Sequence, residues 1–91
     1  MKYNIKEIKL NKKVIITEIE NESLIMLDDC FYYIDDNGKI FLDNIDKSES
    51  LDELVANLEN VYCELDYAEI LCDIESFITD FLANNILLKI G

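Results

Sequence analysis

The hydrophobic period of this chain changes once, near Asp36, and that change limits what the chain can fold into. Upstream, apolar residues fall in short β-branched and aromatic runs; downstream, they recur every three to four residues. Val14, Ile15, Ile16, Thr17 and Ile19 form the first run, closed by the polar turn Glu20-Asn21-Glu22. Leu24 to Leu27 is the second, and Asp28-Asp29 makes a tight turn into the third, Cys30-Phe31-Tyr32-Tyr33-Ile34. Three short strands joined in this way form an antiparallel meander. The third run is apolar on both alternating faces: Cys30, Tyr32 and Ile34 on one, Phe31 and Tyr33 on the other. A half-buried strand carries polar residues on its outer face, so something must cover the second face of this one.

After Asp36-Asn37-Gly38 the period changes, and Ile40, Phe41 and Ile45 suit a short helix. Ser50-x-x-Glu53 is a capping box that opens a second helix, with Leu51, Leu54, Val55, Leu58, Val61 and Tyr62 along its apolar side. Asp66-x-x-Glu69 opens a third, whose apolar set runs from Tyr67 to Leu82 and is the strongest periodic signal in the chain. Asn84-Asn85 ends that helix through a left-handed cap, after which Ile86, Leu87 and Leu88 pack back. The predicted architecture is α+β and winged-helix-like: a three-stranded antiparallel meander followed by three α-helices.

Two features point to a peptide groove. The third strand carries no charge or proline within Cys30–Ile34 to blunt an exposed edge. The apolar stripe of the third helix spans about 140°, wider than the roughly 100° that one packing face requires. Strand addition takes affinity from backbone bonds and specificity from side-chain pockets. The candidate surface is Phe31, Tyr32, Tyr33 and Ile34 on the strand with Tyr67, Ile70, Leu71, Asp73, Ile74 and Phe77 on the helix. The alternative is an edge covered by the chain's own elements.

Composition narrows the chemistry. Ninety-one residues make one domain. Twenty acids against eight lysines give a net charge of -12, with no arginine or histidine. No imidazole base, histidine-held metal or arginine clamp is available, and a phosphate backbone would be repelled. A hydrolase or transferase would need a base and an oriented nucleophile, and none is found. Gly38 and Gly91 are the only glycines, so a Gly-rich phosphate loop is excluded. Cys30, Cys63 and Cys72 form no C-x-x-C pair and read as three buried thiols in a reducing cytoplasm. No membrane span or signal peptide is read, so the expectation is a cytoplasmic, cofactor-free binding domain without catalytic or metal-binding residues. Residues 1–12 read as a basic arm, since Lys2, Lys6, Lys9 and Lys12 fall there beside a single acid, Glu7. Residues 13–91 form the acidic domain proper.

The order of elements resembles the PqqD-like domains, also called RiPP recognition elements. The residues that carry the resemblance are Leu24 to Asp28, Phe31 to Asp35, Asn37-Gly38 with Ile40 and Ile45, Ser50 to Val55 and Leu58 to Tyr62. Cys72 to Ile74, Phe77-Ile78, Phe81-Leu82 and Ile86 to Leu88 complete the set, so the resemblance spans about residues 13–90. The turn before Phe31 is shorter than in many members, and a glycine common before the second helix is replaced here by Asp46-Lys47-Ser48. The resemblance implies a non-catalytic peptide chaperone. Such domains bind the leader of a ribosomally made precursor peptide as an added strand between the third strand and the third helix. They present the core peptide to a modifying enzyme, a radical SAM maturase or a leader peptidase. A second resemblance is to acyl carrier proteins: Glu49-Ser50-Leu51-Asp52 looks like their motif, in which a serine at a helix start, here Ser50, carries phosphopantetheine. An N-cap role explains Ser50 better.

Overall fold

The computed structural model describes residues 3–90. It is an α+β fold with a three-stranded antiparallel sheet followed by three helices. A 3-10 turn, Ile5–Glu7, leads into β1 (Ile8–Leu10), and β2 (Ile15–Ile19), β3 (Glu22–Leu27) and β4 (Cys30–Ile34) form the meander. Helices α1 (Asp36–Ile45), α2 (Leu51–Val61) and α3 (Tyr67–Ala83) follow, and β5 (Leu87–Lys89) closes the chain.

Both hairpins of the meander have two-residue loops. Glu20 and Asn21 take φ of 52° and 69°, the paired left-handed geometry of a type I′ turn, and Asp28 takes φ 54° in the second loop. This geometry sets the register, Ile25 opposite Tyr32 and Met26 opposite Phe31. One face of the sheet then carries Ile16, Ile25, Leu27, Tyr32 and Ile34 into or against the core.

Each helix begins on a side-chain cap. Asp35 accepts from the Gly38 amide at 2.8 Å, Ser50 from Glu53 at 3.1 Å and Asp66 from Glu69 at 2.8 Å. The first of these draws Asp36-Asn37-Gly38, where the sequence pattern only changes period, into the helix. With Asp35 as N-cap, those residues are already the opening turn of α1. Gly38 suits the crowding there, since a Cβ would stand 3.2 Å from Asp35 Oδ1 and within 3.7 Å of both Ile34 and Phe81. Behind it Phe41, Phe77 and Phe81 stack, with centroids 5.1 to 6.1 Å apart.

The reading of residues 1–12 as an arm apart from the domain is also corrected. Ile5 and Ile8 are buried in the core, and β1 pairs antiparallel with β5. The apolar residues Ile5, Ile8 and Leu10 alternate with exposed Lys6 and Lys9, so the lysines are the solvent face of an ordered segment. Met1, Lys2 and Gly91 lie outside the described residues. Asn11 fastens this segment to the end of α3: its Nδ2 donates to Asn85 O and its amide to Ile86 O, both at 2.9 Å.

That helix end is a Schellman motif. Asn85 adopts φ 61°, its amide donates to Leu82 O at 3.2 Å, and Ile86 N donates to Phe81 O at 2.9 Å. Asparagine tolerates the left-handed conformation that most side chains resist by roughly 1–2 kcal/mol. Asn85→Ala is therefore expected to lower stability by about 1 kcal/mol in chemical denaturation, and Asn85→Gly to leave it near the parent.

Candidate functional site: the free edge of the sheet

The meander has strand order β2-β3-β4, so β4 is an edge. Leu27 and Cys30 flank a two-residue loop, and such a flanking pair exchanges both backbone hydrogen bonds. Pairing alternates from there. Cys30, Tyr32 and Ile34 direct their backbone groups to β3, while Phe31 and Tyr33 direct theirs away from the sheet. The same two residues carry exposed rings on the outer face, Phe31 at 62% and Tyr33 at 76%. The opposite edge, β2, turns its backbone outward at Ile16 and at the exposed, charged Glu18, which blunts it. The better landing for an added strand is β4.

Hollows lie at both ends of this edge. One, of about 440 Å³, is lined by Cys30 and Tyr32 with Asn84, Asn85 and Leu88 across from them. Here the Cys30 side chain, through a hydrogen bond, and then burial raise the Tyr32 phenol above the usual tyrosine range. Another, of about 550 Å³, is lined by Tyr33, Glu22, Asp35 and Asp36. The strand half of the sequence-derived surface is thus assembled along one edge: Phe31 and Tyr33 outward, Tyr32 and Ile34 half-buried on the inner side.

The helix half is arranged differently. Ile70 is 1% exposed and Ile74 0%, so both are core and present no wall to a bound strand. Leu71 is half-buried against the same core, and Phe77 is committed to its stack on Phe41. Tyr67 and Asp73 are exposed, but Asp73 borders a hollow shared with Asn37, Tyr62 and Leu65. Tyr62 donates there to Asn37 O at 3.4 Å; burial and then the carboxylates of Asp73 and Asp35 raise its phenol. The wide stripe of α3 is spent on three neighbours, α1, α2 and β5, rather than on a groove. Asn84 and Asn85, just past the end of α3, line a hollow together with Cys30 and Tyr32 of β4. Sequence reasoning missed those residues, although the paired asparagines already marked the helix end.

Comparison with known protein families, with curated proteins and with solved structures finds no match to the chain.

The remaining candidates are placed plainly. Cys30, Cys63 and Cys72 are all exposed, which corrects the expectation of buried thiols. They sit at the β4 hairpin, in the loop after α2 and on the polar side of α3. Among the described residues no group of three or more acids and cysteines is placed to hold a metal ion. No described helix is long and apolar enough to cross a membrane.

Two outcomes are expected. Ile74→Asp places a carboxylate in the core and should unfold the domain, at a cost of several kcal/mol read by circular dichroism and denaturation. Ser50→Ala should cost about 1 kcal/mol through the lost cap, and treatment of the parent with a phosphopantetheinyl transferase and coenzyme A should leave its mass unchanged.

Proposed function

We propose that the protein is a non-catalytic peptide chaperone that binds the leader of a ribosomally made precursor peptide on the free edge of β4. The bound segment lies antiparallel to β4 as a fourth strand and pairs with the outward backbone groups of Phe31 and Tyr33. The observation that carries this reading is that edge: uncharged from Cys30 to Ile34, and bearing exposed aromatic rings at the two residues whose backbone groups are unpaired within the sheet. Edge strands of this kind are normally blunted, so an unblunted one is a place for a partner strand. The resemblance to PqqD-like domains supplies the kind of partner. The core peptide is handed to a modifying enzyme, a radical SAM maturase or a leader peptidase, in the cytoplasm. Chemistry belongs to that enzyme, because this chain has no histidine base or arginine clamp to offer.

The bound strand has two kinds of neighbour. Side chains on its outer side lie beside Phe31 and Tyr33. Those on its inner side enter the hollow between Tyr32 and the Asn84–Leu88 segment. The helical wall of the groove is therefore the end of α3, not its Ile70–Ile74 stretch.

The paired proline variants test strand addition directly. Tyr33→Pro removes an outward amide and is expected to leave the fold intact while leader affinity, measured by calorimetry, falls at least tenfold. Tyr33→Ala, the control for the ring, should bind more tightly than Tyr33→Pro. Tyr32→Pro removes an amide that bonds β3 and should unfold the sheet. Parent-like binding by folded Tyr33→Pro would show that the leader does not pair with this edge.

A further inference from the structure

The outer face of the meander is apolar, and none of the described elements packs across it. Ile15, Ile19, Leu24, Met26, Phe31 and Tyr33 share this face by register, with Thr17 between them and Glu22 at one end. Leu24 is buried among its neighbours there, yet it belongs to no part of the core beneath the sheet. Ile15 is 57% exposed and Ile19 56%, and with the two rings they make a continuous apolar surface across three strands. Single exposed apolar side chains are ordinary; a contiguous patch with a polar border marks an interaction surface. The sequence had required a cover for the second face of the third strand, and within the described chain there is none.

The border of the patch selects the partner. Glu20 and Glu22 stand at one end, Asp28 and Asp29 at the other, and Asp35 and Asp36 follow β4; all six are exposed. Lys12 and Lys13 stand in the turn before β2, and Lys13 lines a hollow together with Asp28. A second copy would set this acidic rim against its own, each body carrying a net charge of -12, and be repelled. A surface edged with lysine or arginine would be attracted, and its cations can also rest on the faces of Phe31 and Tyr33.

Dimensions select the element. Three strands span about 10 Å between the axes of β2 and β4, which matches the roughly 10 Å width of a helix. Five-residue strands run about 17 Å, the length of roughly eleven helical residues. Helices already cover the inner face, and a helix on the outer face would complete a three-layer packing. We infer that the outer face of the β2-β3-β4 sheet docks an amphipathic helix of a partner protein, with an apolar stripe flanked by lysine or arginine. The docking uses the face of the sheet rather than the free edge of β4, so it does not rest on the leader reading.

The test is an NMR titration of the isotopically labelled protein with a synthetic helical peptide of leucines flanked by lysines. An otherwise identical peptide with glutamates in place of lysines is the control. The lysine peptide should shift amides of Ile15, Thr17, Ile19 and Met26, and the glutamate peptide should not. The double variant Ile15→Ser, Ile19→Ser keeps the net charge and lies on the strand farthest from β4. It should keep its fold by circular dichroism, lose at least tenfold in lysine-peptide affinity, and bind leader like the parent. If the double variant fails to fold, Ile15→Ser alone carries the same expectation. Undiminished peptide binding by the folded variant would overturn the inference, because charge alone would then be the grip. Shifts confined to the helices would do the same, as would sedimentation showing a parent dimer that Ile15→Ser dissociates. Leader binding is measured separately, so either reading can fail while the other stands.

Discussion

The opening turn of α1 is the joint on which the rest of the structure depends. Asp35 follows the last residue of β4 directly and caps the helix, so sheet and helix meet with one residue between them. Gly38, without a Cβ, lets Ile34 and Phe81 close around that turn. Phe41, one turn further on, then enters the stack with Phe77 and Phe81. The joint ties β4 to the C-terminal half of α3 through α1. Nearer the start of α3, Ile70 and Ile74 are buried in the core. The free edge of β4 is left over by this arrangement, anchored from behind and open in front.

What could be seen in the sequence follows the range of each interaction. Helix caps act over three residues, and the caps at Ser50 and Asp66 were visible because serine or aspartate stands three positions before glutamate. The cap at Asp35 was hidden because its third residue is glycine, which completes no capping box. The meander was visible because two-residue loops join its strands. By contrast, the β1–β5 pair joins three-residue strands almost eighty positions apart, with no local signal beyond the interleaving of Ile8, Lys9 and Leu10. The candidate site divides along the same line. Its strand half needed only alternation, which is local. Its helix half rested on the width of a stripe, and width reports how many neighbours a helix has, not which side is open.

The charge of the chain bears on the same edge in a different way. An uncharged edge strand with two exposed aromatic rings is a template for pairing with its own copies as readily as with another peptide. Two β4 strands meeting antiparallel would set Asp28 and Asp29 of one copy beside Asp35 and Asp36 of the other. Two carboxylates would then face two at each end of the joint, with the net charge of each body opposing approach from farther away. The strand itself is thus free of the blunting charges that would also exclude a partner, and the protection sits just beyond its ends. This division favours a neutral or basic strand over an acidic one without any change to the edge itself. The acids in the turns around β4 are all exposed, and two also serve the fold: Asp35 caps α1 and Asp28 takes the positive φ of the hairpin loop.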